Sequence, residues 1–162
     1  MELFGKILDR VNRFVEYFVS FLLVIMVIVV FLQVIFRFVI KSSLPWSEEL
    51  ARYILVWISF LGASIGVKRQ SHIGVEAVTN LLPFKAKNVV AVTANAFASI
   101  FFIIMIIWGY KLVGIVSRQV SPAMEISMGI PYSAIFFSGI LMFAYSIYNF
   151  SVIAKRMREG AR

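Results

Sequence analysis

The sequence predicts an all-α integral membrane protein with four transmembrane helices and both termini on the cytoplasmic side. Three observations predict it. The 162 residues are 61% hydrophobic, against about 45–50% for an ordinary soluble domain. The apolar residues fall into long charge-free runs separated by polar breaks. The Lys and Arg residues gather on alternate breaks. With a mean hydropathy of +0.92, a chain of this length has too much apolar surface for one soluble core. The length fits a single domain covering residues 1–162.

The first span is expected at residues 17–36. Tyr17 to Phe36 is a charge-free run in which Ser20 and Gln33 are the strongly polar residues. Twenty helical residues rise about 30 Å, the thickness of the hydrocarbon layer. Upstream, Phe4, Ile7, Leu8, Val11, Phe14 and Val15 repeat at helical spacing, with Lys6, Asp9, Arg10 and Arg13 on the other side. This segment reads either as a short amphipathic helix at the interface or as the wet end of a long first helix. Charges of both signs precede the apolar run and no small-residue cleavage site follows it, so the first span is expected to be retained.

Pro45 interrupts the polar stretch that follows. Ser47 suits an N-cap, and Glu48 and Glu49 suit the positive end of the next helix. The second span, about residues 50–69, has a short uncharged core from Tyr53 to Val67 that Arg52 and Lys68 lengthen by snorkelling. The third span is expected at residues 88–110, and residues 111–130 as a loop. The fourth, residues 131–153, opens on Pro131, whose missing N–H costs nothing in a first helical turn.

Topology follows from the cations. Three Lys or Arg precede the first span, four lie in the second loop and four in the tail, against three and two in the first and third loops. The richer side is cytoplasmic.

Small residues mark expected helix contacts, because helices in lipid gain more from close approach than from burying oil against oil. Ser59, Gly62, Ala63 and Gly66 form one stripe on the second span, including a GxxxG. Ala91, Ala94, Asn95, Ala98 and Ser99 mark the third, and Ala134 and Ser138 the fourth. The second, third and fourth spans are therefore expected to pack closely. The first, built of bulky residues, should be peripheral.

The chain offers little chemistry. With no cysteine and one histidine, thiolate ligation and a histidine-rich metal or haem site are excluded, and no cofactor is implied. No nucleotide-binding loop or nucleophile–base pair is present, so an enzyme is not expected. The net charge of +8 belongs to membrane surfaces and lipid head groups rather than to nucleic acid. Ion-coupled carriers usually hold an ionisable side chain inside the membrane, and here every charge sits at or beyond a span end. The candidate partner or lipid contacts are Arg37, Lys41, Trp46, Glu48, Glu49, Arg52 and His72. Arg52 lies one helical turn from both glutamates, so a local surface pair is the ordinary reading. Arg37 and Lys41 could also reach those glutamates. Trp46, Tyr53, Trp108, Tyr110 and Tyr132 read as an aromatic belt near the outer interface.

Two stretches carry a family resemblance. Pro45-Trp46-Ser47-Glu48-Glu49-Leu50-Ala51-Arg52-Tyr53 runs through Gly62-Ala63 to Val67-Lys68-Arg69 and His72-Ile73. Later come Ser121-Pro122-Ala123-Met124 and Gly129-Ile130-Pro131-Tyr132. With the four-span layout, this resembles the small membrane subunit of tripartite ATP-independent periplasmic (TRAP) transporters. Glu76 stands where the family often has Asp, and Glu125 and Ser127 where it tends to Gly and Pro. The resemblance implies a bacterial or archaeal inner-membrane protein with two partners, a large multi-span subunit and a periplasmic substrate-binding protein. The large subunit would hold the substrate and sodium sites for an organic acid of dicarboxylate or sialic-acid type. The small one would brace that subunit's fixed part. The competing readings are a self-contained homo-oligomeric carrier and an accessory subunit of another membrane complex.

Overall fold

The structure, a computed structural model, describes residues 2–69 and 84–159. These form four helices: α1 Glu2–Phe38, α2 Pro45–Lys68, α3 Phe84–Val116 and α4 Gly129–Glu159. Each contains a stretch long and apolar enough to cross a membrane. Among the described residues the extended pairing is a single bridge between Val120 and Ser127. His72 lies outside the described residues.

α1 is one continuous helix of 37 residues, which decides between the two readings of its N-terminal segment. A seam of buried Gly5, Leu8, Asn12, Val15 and Val29 and half-buried Val19, Leu22, Met26, Gln33 and Phe36 runs along it, with half-buried Val11, Glu16, Ile25 and Ile35 beside it. The seam positions alternate three and four residues apart, the spacing of a helix face that stays against one neighbour. The opposite face of α1 is exposed and, beyond Glu16, mostly bulky and apolar.

α2 begins one turn earlier than its glutamates suggest. Its N-cap is Leu44 with Pro45 in the first turn, where the ring's fixed φ favours a helix start. Ser47 is therefore not the cap. It is fully buried, and its hydroxyl donates to the Leu44 carbonyl at 2.7 Å. α3 overruns its expected end at residue 110 and continues to Val116. Lys111 does not stop it, because its ammonium folds back over the Trp108 ring, 4.9 Å from the centroid, and so reaches the interface.

The helices pack in the order α1–α2–α4–α3. α1 is at the edge, as expected, but so is α3, which packs on α4 rather than on α2. The expectation that the second, third and fourth spans all touch one another therefore holds only for the pairs that include α4. Leu8, Val67, Phe102, Met142 and Tyr145 bring all four helices into one buried cluster. Trp57 ties three helices together, stacking on Phe137 of α4 and meeting Phe18 of α1 edge-on.

Close approach is set by glycines in the α3–α4 pair. A Cβ on Gly109 would lie 3.2 Å from the Phe136 backbone nitrogen, and one on Gly139 would lie 3.1 Å from Ile106 Cγ1. Deeper along this pair, the Asn95 amide donates to the Ser146 carbonyl at 3.1 Å, and the Ser146 hydroxyl sits 2.7 Å from that of Ser99. The small residues of α3 do mark a contact face. Those of α2 do not mark one within the chain. Ser59 and Ala63 are exposed, and a Cβ on Gly62 or Gly66 would meet nothing within 4 Å. α2 turns the opposite side inward, through Ile54, Leu61, Ser64 and Val67. A small-residue stripe permits close approach without requiring it, and bulky side chains already fill the gap to α1 and α4.

The end of the bundle that carries both chain termini is held by charge. Lys68 of α2 bonds Asp9 of α1 at 2.8 Å and lies 4.1 Å from the centre of the Tyr148 ring on α4. Arg69 bonds Glu16 at 2.8 Å. The Asn149 amide donates to the Val67 carbonyl, satisfying one of the orphan acceptors at the C-terminus of α2.

Candidate functional site

The opposite end carries the α1–α2 and α3–α4 connections, and here the two familiar sequence stretches meet. The α3–α4 connection is a tight hairpin. Ser121 N–H bonds Ile126 O and Met128 N–H bonds Gln119 O, each at 2.9 Å. Its tip turns through Pro122, Ala123 and Met124. Pro122 has no N–H, and the next two amides point away from the hairpin with no carbonyl to receive them, like the orphan donors of a helix start.

Glu49 receives both. Its Oε2 accepts the Ala123 N–H at 3.0 Å and the Met124 N–H at 2.8 Å. Its Oε1 accepts the Tyr53 hydroxyl at 2.7 Å, and that hydroxyl lies 3.2 Å from Met128 Sδ. Glu49 keeps only 8% of its surface exposed. Hydrogen bonds to an ionised acceptor are the shorter and stronger kind, so the first turn of α2 and the hairpin form one rigid unit. Ser121 beneath it is buried, and its hydroxyl accepts the Ile126 N–H. Glu125, at the turn, takes a left-handed φ of 55°.

The other candidates spread around this unit. Glu48 makes the expected pair with Arg52 at 3.3 Å, with both side chains exposed. Glu49 does not share in it, because the stronger claim on its carboxylate comes from the hairpin amides. Arg37 and Lys41 are exposed and, among the described residues, pair with neither glutamate. Trp46 is exposed, as are Trp108 and Tyr110, which suits an aromatic belt. Tyr53 turns inward to the clamp instead. No group of His, Cys, Asp or Glu among the described residues could hold a metal ion.

This geometry joins segments rather than building a catalytic centre or a translocation path. In α1 the charges run from the N-terminus to Glu16; the stretch from Tyr17 to Phe36, and the middle thirds of α2, α3 and α4, carry no Asp, Glu, Lys or Arg. The sequence pointed to both stretches but not to their contact. The available signal was a proline followed by two amides with no acceptor nearby, opposite a glutamate that its own helix does not need.

The family model for the DctQ component of tripartite ATP-independent periplasmic transporters matches residues 26–156, both stretches included. The chain belongs to this family. Similar curated proteins agree with the assignment. A putative TRAP transporter small permease protein of Haemophilus influenzae is 29% identical over 90% of this chain and 88% of its own length. The C4-dicarboxylate TRAP transporter small permease protein DctQ of Vibrio cholerae is 31% identical over 65% of this chain, and the match spans 45% of that relative. A 77-residue portion is 34% identical to 12% of the sialic acid TRAP transporter permease protein SiaT of H. influenzae. DctQ-family proteins are transporter subunits and not enzymes, and four apolar helices make this member a multi-pass inner-membrane protein.

Proposed function

We propose that this chain is the small, non-catalytic subunit of a sodium-coupled, binding-protein-dependent transporter for an organic acid of the dicarboxylate or sialic-acid type. Its role is to brace the fixed scaffold of a large transport subunit, with both termini in the cytoplasm and the Glu49 hairpin facing the periplasm. The observation that carries this reading is the row α1–α2–α4–α3. It leaves α1 and α3 with long apolar flanks and only 6% of each spanning window buried. A carrier wraps its helices around a polar path. A brace spreads them and offers surface. The open stripe Ser59, Gly62, Ala63 and Gly66 on α2 is the part of that surface where a partner helix can approach most closely. The hairpin tip held by Glu49, together with Trp46, Arg37 and Lys41 at the same end of the bundle, supplies partner and lipid contacts, and His72, outside the described residues, supplies one on the cytoplasmic side.

Co-expression with the large permease protein of a TRAP transporter from the same organism tests this. The two should purify together, and Gly62→Leu with Gly66→Leu should break the complex while leaving the small chain folded. Recovery of the intact complex from the double variant would remove the stripe from the interface. Failure of the unmodified chains to associate would remove the bracing role.

A further inference from the structure

α1 is longer than a crossing requires. Tyr17 to Phe36 is already long enough to span the hydrocarbon, and residues 2–16 continue the same helix for roughly 22 Å towards the end of the bundle where Lys68 and Arg69 pair with Asp9 and Glu16. Faces there are sorted by chemistry. Gly5, Leu8, Asn12 and Val15 are buried against the bundle. Asp9 and Glu16 are each bonded to a cation of α2. With the acids committed to α2, the cations of the same turns are left over. Lys6, Arg10 and Arg13 repeat about one turn apart on the far side of the helix, all exposed; none makes a direct ion pair among the described residues, and Arg13 acts on Glu16 only through space. Beside them runs an exposed apolar strip of Leu3, Ile7 and Phe14.

A basic stripe next to an apolar strip, on helix turns level with the charged C-terminal end of α2, matches a surface with negative charge above and hydrocarbon below. We propose that Lys6, Arg10 and Arg13 form a binding surface for the head groups of anionic phospholipids, with Leu3, Ile7 and Phe14 seated among the acyl chains. The two ion pairs to α2 hold the helix in the rotation that presents this stripe outward. The surface is independent of which organic acid the complex carries.

The test uses the full-length chain reconstituted in vesicles of phosphatidylcholine and phosphatidylglycerol, extracted mildly, with the retained lipid identified by mass spectrometry. Phosphatidylglycerol should be enriched over its share of the vesicle. Lys6→Gln, Arg10→Gln and Arg13→Gln together should lower the enrichment on the order of tenfold, while Arg37→Gln with Lys41→Gln at the other end should leave it intact. Added inorganic phosphate should not compete, because the apolar strip belongs to the site. Unchanged enrichment in the triple variant overturns the proposal. So does loss of a co-purifying protein with lipid retention unaltered, which would make the stripe a protein contact. Where the triple variant does not fold, salt decides on the unmodified chain. High salt should erase the enrichment, and an enrichment indifferent to salt overturns the proposal.

Discussion

Glu49 and Met124 are 75 positions apart in sequence, yet the carboxylate of one holds the backbone N–H of the other at 2.8 Å. This contact turns two family stretches into one structural unit at the end of the bundle opposite the termini. Glu49→Ala should free the amides of Ala123 and Met124. Hydrogen exchange should then rise across residues 119–128 and thermal stability in detergent should fall. Glu48→Ala removes only an exposed pair and should change neither. Equal effects from the two variants would mean that the hairpin holds its shape without the clamp.

The glycines divide into two classes that one stability assay separates. Gly109→Ala places a methyl against the Phe136 backbone, which cannot move aside without separating α3 from α4. We expect a loss of about 1–3 kcal/mol, the usual cost of overpacking. Gly62→Ala and Gly66→Ala meet open space and should not destabilise the isolated chain, helix propensity favouring alanine by about 0.5–1 kcal/mol. A thermal-shift series read by size exclusion is sufficient.

Lys68 serves Asp9 and two aromatic rings, Tyr148 and, farther off at 5.9 Å, Tyr145, and the nearer ring is measurable. Its ammonium is 4.1 Å from the centre of the Tyr148 ring, and its side chain is only 11% exposed. A double-mutant cycle of Lys68→Met with Tyr148→Leu should give a coupling of about 1 kcal/mol. A coupling near zero would mean that the Tyr148 ring contributes nothing beyond packing.

Glu125 occupies a left-handed backbone conformation, with φ 55°, that glycine adopts without a Cβ clash. Its side chain is exposed. Glu125→Gly should therefore be neutral or stabilising by up to about 1 kcal/mol, the opposite sign to most turn substitutions. Chemical denaturation of the hairpin region, followed by exchange at Ile126 and Met128, checks it.

Much of the fold was legible in the sequence because membrane helices announce themselves locally. The charge-free run from Tyr17 to Phe36 and the proline at Pro131 each lie inside the helix they foretold. Helix neighbours were less legible. Gly62 and Gly66 have the spacing of a contact motif, but spacing does not say which side of α2 the rest of the chain will occupy. Gly109 and Gly139 gave no stripe to notice, yet they set the close approach of α3 to α4. The site was half legible. Glu48 and Arg52 pair within one helix turn, so their spacing revealed them. Glu49 reaches across to a hairpin whose free amides exist only after Pro122 has removed one donor and the turn has exposed two.

Uptake by reconstituted protein tests the central claim most directly. Proteoliposomes holding this chain, the large permease protein and a sodium gradient, supplied with the cognate binding protein and labelled organic acid, should accumulate label. Vesicles holding this chain alone should stay at background under every gradient. Accumulation by the chain alone would contradict the account, since helices with no charge at mid-depth would then be carrying the solute themselves.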